Sequence, residues 1–297
     1  MIEVGLAGWG DHDSLYVQGV KAKDKLAAYS RHHPLVEVDS SFYAIQPKER
    51  MAKYAEETPG EFGFIVKAYQ EMTGHQRGRP YYKEPEEMYG AFRESLAPMM
   101  AAGKLRAALF QYPPWFDCTR ENVSLLRETK RRMEGIPCAL EFRHQSWFAP
   151  AYRERTLDFM REQGWIHSVC DEPQAGDGSV PIVLEATDAA YTIVRMHGRH
   201  AAGWSRSGGG RRDWREVRYL YRYSRAELEE WRDRLQALLR QTRRIGVIFN
   251  NNSGGDAADN AAEMMSLLGL RTPEGRDPLE RAAETGQEAE QLDLFDL

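Results

Sequence analysis

Cysteine is scarce in this chain. There are three in 297 residues, Cys118, Cys138 and Cys170, dispersed and without paired spacing. That excludes a disulfide-stapled fold and a cysteine-ligated zinc module, and it fits a reducing cytoplasm. No stretch of about 18 apolar residues occurs, so no spanning helix and no membrane partner are expected. The opening segment MIEVGLAGWG enters a strand pattern at once and lacks the layout of a signal peptide. Two histidines four apart on a helix, the commonest local sign of a catalytic metal, are also missing. Charge of one sign is missing too. The net charge is −5, but residues 272–297 hold eight acids against two arginines, which leaves the body near +1. A neutral body argues neither for nor against nucleic acid, so the local distribution of charge has to decide.

What the chain does have is eight short apolar runs, most of them separated by amphipathic helical segments. They are 2–8, 35–40, 62–67, 106–111, 139–143, 165–171, 191–197 and 245–250. Eight β/α units in one chain of this length predict a single α/β domain, a (β/α)8 TIM-like barrel over residues 1–270. Helix signals agree with that count. Ser224-Arg225-Ala226-Glu227 is a capping box opening a helix to about Arg243, Pro150 suits the first turn of a helix ending near Gly164, and Pro47 opens another. Residues 173–190, with Pro173, Gly176, Gly178 and Pro181, read as an irregular crossover with a short extra strand at Ile182–Glu185.

In this fold the active site lies at the C-terminal ends of the strands. Those ends carry Asp39, Lys67, Gln111, Arg143, Asp171, His197 and Asn250. Alternation puts Glu37 with Asp39, Glu141 with Arg143, and Arg195 with His197 on shared strand faces. Apolar neighbours suit the helix side, so the charged set is expected in the barrel interior and mouth. Glu141, His197, Asp39 and His144 are the candidates for acid–base work. Lys67, Gln111, Arg143, Arg195, Arg199, Asn250 and Asn251 are candidates for holding a phosphate or other substrate group, with Trp147 as a wall of the site. Glu37, Asp39, Glu141, Asp171 and His197 are the atom types that could hold a divalent zinc or manganese ion. Structural alternatives stand beside each. Glu141–Arg143 can be an internal ion pair completing a barrel layer, Glu37 can pair with Lys67 or Arg195, Asp171 can be a turn residue, and the asparagines can cap a helix. Lys67 could form a Schiff base, although anion binding is the simpler role.

Two loops are placed at the mouth. One is Thr73-Gly74-His75-Gln76-Arg77-Gly78-Arg79. The other runs from Arg199 to Arg215 and mixes arginine with Trp204, Trp214 and three successive glycines. Arginine among aromatics suits phosphate contact and base stacking. Past Leu270 the composition turns to Glu, Pro, Gly, Thr and Gln, which reads as a disordered acidic linker over 271–290, followed by an apolar burst at 291–297.

Several blocks in series resemble the YecE-like family, domain of unknown function 72. They are Val36-Glu37-Val38-Asp39-Ser40-Ser41-Phe42-Tyr43, Lys67-Ala68 with Thr73-Gly74-His75, Phe110-Gln111-Tyr112-Pro113-Pro114, Glu141-Phe142-Arg143-His144-Gln145-Ser146-Trp147-Phe148, Arg195-Met196-His197-Gly198-Arg199, and Phe249-Asn250-Asn251 with Asn260-Ala261. The resemblance covers roughly residues 1–270 in order. It implies a TIM-like barrel and supplies no reaction. Where many relatives are expected to carry histidine after the asparagine pair, this chain has Asn252, so the resemblance brings no metal ligand to that position. Separately, Gln291-Leu292-Asp293-Leu294-Phe295 is similar to the pentapeptide by which bacterial polymerases and repair proteins dock on the DNA sliding clamp. Leu294 and Phe295 would enter an apolar pocket, with Leu292 beside them and Gln291 making polar contacts. A segment folded back on its own barrel is the alternative.

Together these features predict an enzyme acting on DNA or another phosphate-containing substrate, as a phosphodiester hydrolase or lyase recruited to the sliding clamp. A sugar-phosphate isomerase, epimerase or lyase is the alternative from small-molecule chemistry. A non-catalytic clamp-associated module is the third reading.

Overall fold

The structure, a computed structural model, describes residues 1–16, 20–200, 219–252 and 255–279. Eight parallel strands close in sequence order into a barrel, each hydrogen-bonded to the next and β8 to β1. They are β1 (Ile2–Ala7), β2 (Leu35–Val38), β3 (Gly63–Lys67), β4 (Leu105–Gln111), β5 (Cys138–Glu141), β6 (Trp165–Asp171), β7 (Tyr191–Met196) and β8 (Arg244–Phe249). The helices described are α1 (Lys25–Tyr29), α2 (Ser40–Tyr43), α3 (Lys48–Glu56), α4 (Pro85–Ala101), α5 (Arg120–Arg132), α6 (Arg153–Gln163), α7 (Arg225–Leu238) and α8 (Asp256–Leu267). No helix among the described residues is long and apolar enough to cross a membrane.

The predicted helix signals are found with shifted bounds. Ser224 and Glu227 exchange the reciprocal bonds of a capping box, and α7 ends at Leu238, short of the expected Arg243, where the chain turns through residues 239–243 into β8. Gly164 ends α6 in the left-handed conformation (φ 68°), as its position predicted. Pro150 lies in a turn ahead of α6 rather than in its first turn, since a 3-10 turn at Gln145–Phe148 comes first. Between β6 and β7 the chain forms a 3-10 turn at Gly176–Gly178, and the extra strand expected at Ile182–Glu185 does not form. Residues 271–279, expected as the start of the linker, form a turn in which Thr272 and Pro278 are buried and Glu274 reaches Arg31. The rest of that stretch and the peptide at 291–297 lie outside the described residues.

Strand parity builds the interior in three layers. At the N-terminal end Glu3 accepts two bonds from Arg106 Nε (3.2 Å each) and one from Arg106 Nη2 (2.9 Å), with Tyr191 Oη at 3.4 Å. Gly246 is required here, because a Cβ on it would stand 2.1 Å from the Tyr191 hydroxyl. Above lies a dry plug of Leu35, Ile65, Ala107, Leu109, Ala139, Ile166, Ile193 and Ile248, all buried. The opposite face of each strand packs Val, Leu, Phe and Met against the helices in the main core. The third layer, at the C-terminal ends, is ionic.

Candidate active site at the C-terminal mouth

The next inward positions above the plug are Glu37 on β2, Gln111 on β4, Glu141 on β5, Ser168 on β6 and Arg195 on β7. Arg195 stands at the centre of them, fully buried. Its Nη2 and Nε donate to the two oxygens of Glu37 at 2.6 and 2.8 Å, and its Nη1 donates to both oxygens of Glu141 at 2.9 and 3.0 Å. Gln111 Oε1 accepts from the same Nη1 at 3.3 Å. One guanidinium thus ties together strands on opposite sides of the ring. Glu141 also accepts from Arg143 Nε at 2.8 Å and from Ser168 Oγ at 3.0 Å. Arg143 in turn binds Glu172, whose other oxygen accepts from the Val180 amide at 2.7 Å.

Two buried guanidiniums therefore face three buried carboxylates, and an uncompensated charge in such a place is costly. The excess is relieved at Glu37. Burial raises its carboxyl, Arg195 opposes that, Asp39 beside it adds to the rise, and the result is a value pushed up to about 7. Glu141 goes the other way. Burial would raise it, but Arg195 and Arg143 bring it well below the usual carboxylate range.

His197 is buried against the same cations. Arg143 Nη2 lies 2.9 Å from its Nε2, and Asn250 Nδ2 lies 3.0 Å from its Nδ1. Burial and then Arg143 and Arg195 push its pKa well below the ordinary 6.5. Glu141, Cys170 and His197 bring one ligand atom each within 4.8 Å of one another. That donor set does not fit a dication, because guanidinium groups already donate to the Glu141 and His197 lone pairs and burial raises the Cys170 thiol well above 9.0.

At the open end of the layer Lys67 Nζ stands 3.5 Å from Asp39 Oδ1 and 4.9 Å from the Phe42 ring centre. Asp39 is the more exposed partner, with 36% of its side chain accessible against 16% for Lys67. His75, from the loop after β3, holds Thr73 Oγ1 at 2.9 Å by its Nδ1. Burial lowers its pKa, and Lys67, Arg143 and Arg77 lower it further, to about 4. Three cations thus oppose protonation of one imidazole at the mouth.

The strand-end candidates divide accordingly. Glu37, Asp39, Lys67, Gln111, Glu141, Arg143, Arg195, His197 and Asn250 come together. Asp171 does not, because it shares the outward parity of Val169 and accepts from Trp231 Nε1 at 2.8 Å and Arg199 Nε at 3.0 Å. Arg199 is spent on Asp171, Glu227 and Glu230. Asn251 is buried on the helix side, donating to Tyr221 O and Asn260 Oδ1 at 2.8 and 2.9 Å. His144 accepts from the Ser146 amide at the start of a 3-10 turn. Trp147, expected as a wall of the site, stacks on Phe142 at 4.1 Å and donates to Phe116 O, so it is core. Most of the arginine-rich loop after β7 lies outside the described residues. One member of the mouth, Glu172, was not singled out from the sequence; it follows Ser168 and Cys170 in inward parity, a signal that was present. His75 belongs to the loop expected at the mouth, although no parity marks it within that loop.

A pH test follows from Glu37. Its folded value lies above the ordinary 4.5, so its contribution to stability is full below about 4.5 and is lost as pH rises through about 7. The loss is on the order of 3 kcal/mol. His167, buried and lowered to about 4, acts in the opposite sense, losing stability as pH falls from 6.5 toward 4. Gln at 37 mimics the protonated carboxyl. The stability of Glu37→Gln relative to the parent, from urea unfolding at each pH, is therefore expected to rise by about 3 kcal/mol between pH 4.5 and 8. A flat difference would mean that Glu37 is charged throughout.

Residues 3–284 match the family described as protein of unknown function DUF72. The chain belongs to this family of closed, TIM-like barrels. It is 55% identical over 295 residues to the UPF0759 protein YunF of Bacillus subtilis, covering 99% of this chain and 100% of that one. The crystal structure of a DUF72 protein from Enterococcus faecalis superposes with a TM-score of 0.85 at 37% identity, covering 91% of this chain and 96% of that one. One from Thermotoga maritima gives 0.76 at 28% identity, over 91% of this chain and 99% of that one.

Proposed function

We propose that the mouth binds a phosphate-containing substrate and acts on it as a phosphodiester hydrolase or lyase, with DNA as the physiological substrate. The observation that carries this reading is the pair of cations on either side of His75, Lys67 over the Phe42 ring at 4.9 Å and Arg77 over the Trp115 ring at 5.2 Å, both rings meeting the imidazole. Cations held at the rim over low-dielectric walls concentrate anions. Lys67 supplies the point charge for a phosphate oxygen. Asp39 is the proton-transfer group, since it is the exposed member of a carboxyl pair whose buried member, Glu37, changes charge near neutrality. The Glu141–Arg143–Arg195–His197 layer fixes the floor on which these groups stand. DNA is favoured over a small metabolite by the peptide Gln291-Leu292-Asp293-Leu294-Phe295, which in this reading docks on the bacterial sliding clamp.

Both halves are tested on the full-length chain. Lys67→Met is expected to weaken binding of a short DNA strand and to reduce the slope of log affinity against log salt by about one. Unchanged affinity and slope would remove Lys67 and the mouth from phosphate binding. Purified sliding clamp is expected to bind the full-length chain and to lose a chain ending at Glu290 and the Phe295→Ala variant. Equal binding by all three, or by none, overturns recruitment through the tail.

A further inference from the structure

We propose that the rim of the mouth is a stacking ledge for the unpaired bases of a single-stranded nucleic acid whose phosphates lie against Lys67 and Arg77. The inference rests on the phosphate reading above and names the form of the substrate. Three successive βα loops contribute the ledge. Tyr43, at the end of α2, packs edge-on against Phe42 with ring centres 5.3 Å apart and planes at 89°. Phe42 meets the His75 ring at 5.2 Å and 78°, and His75 meets Trp115, from the loop after β4, at 5.9 Å and 66°. Four rings in series thus run along the rim. The two end members are open to solvent, Tyr43 at 72% and Trp115 at 55%.

Large aromatic side chains held at such exposure give up burial that the fold would reward. The cations decide what covers them. Arg77 lies over the Trp115 ring at 5.2 Å and Lys67 over Phe42 at 4.9 Å, so each half of the ledge has a positive group beside a π-face. Alternating cation and ring is the pattern that tracks a nucleic-acid strand, with phosphate on the cation and base on the ring. A duplex keeps its bases stacked on one another and offers none to the ledge. An acidic peptide would use the cations and leave the rings idle.

The test uses full-length protein and three fluorescein-labelled 12-mers: a thymidine strand, a strand of abasic sites with the same backbone, and a duplex. Anisotropy is read for the parent, Tyr43→Ala and Trp115→Ala, all of which are checked for an unchanged melting temperature. The thymidine strand is expected to bind about tenfold more tightly than the abasic strand. Each alanine variant is expected to lose about tenfold on thymidine and nothing on the abasic strand. Equal affinity for thymidine and abasic strands, thymidine binding unmoved in both variants, or tightest binding to the duplex would each overturn the ledge while leaving the phosphate reading standing. No binding of any strand at low salt would overturn both.

Discussion

Arg195→Leu is expected to destabilise the barrel by about 3–5 kcal/mol. The arginine is fully buried and is the only described side chain that donates to both Glu37 and Glu141. Leucine fills much of its volume but leaves two carboxyl groups in a dry interior. Glu37 can escape by keeping its proton. Glu141 retains Arg143 and Ser168, so the penalty falls at the low end at acidic pH and at the high end above neutrality. Urea unfolding of Arg195→Leu at pH 5 and pH 8 measures both. A loss under 1 kcal/mol at pH 8 would mean that the layer is not held by this residue. The triple change Arg195→Leu, Glu37→Gln, Glu141→Gln is expected to recover part of the loss, because it removes the charges together with their partner.

Asp39→Asn carries the second large effect. If Asp39 takes a proton from water as the water oxygen bonds to phosphorus and the ester P–O bond breaks, the leaving oxygen taking a proton from solvent, then the amide removes the acceptor. The expected fall in kcat is roughly 10^2- to 10^4-fold, with little change in substrate affinity. Single-turnover cleavage of a labelled strand reads the chemistry, and anisotropy reads the binding. Equal activity of parent and variant would exclude Asp39 as the proton-transfer group. Loss of affinity in proportion to the loss of rate would assign it to binding instead.

The barrel was legible because period-2 alternation and eight apolar runs separated by helical segments leave few other ways to bury this chain. Strand ends were read to within one or two residues. The site was legible where parity was used, and the errors came where the last residue of a run was taken without it. Asp171 ends β6 and looks like Asp39 in a string of letters, but the alternation of His167, Val169 and Asp171 places it toward α7, against Trp231. Trp147 follows a charged block, which suggests a place at the mouth, whereas its stacking on Phe142 depends on a loop fold that no short pattern encodes. His75 is the converse case. It joins the site through ring contacts with Phe42 and Trp115, which come from two other loops.

The Arg195 bridge also bears on the order in which the molecule assembles. Glu37 and Arg195 are separated by 158 positions in sequence and stand on non-neighbouring strands. Neighbouring β/α units can pair progressively as the chain condenses, but this guanidinium meets both carboxylates only after the ring has closed. Contacts of such long range are among the last to form. The barrel would then pass its main folding barrier with the ionic layer still wet, and weakening the bridge would shorten the lifetime of the native state more than it slows the route to it.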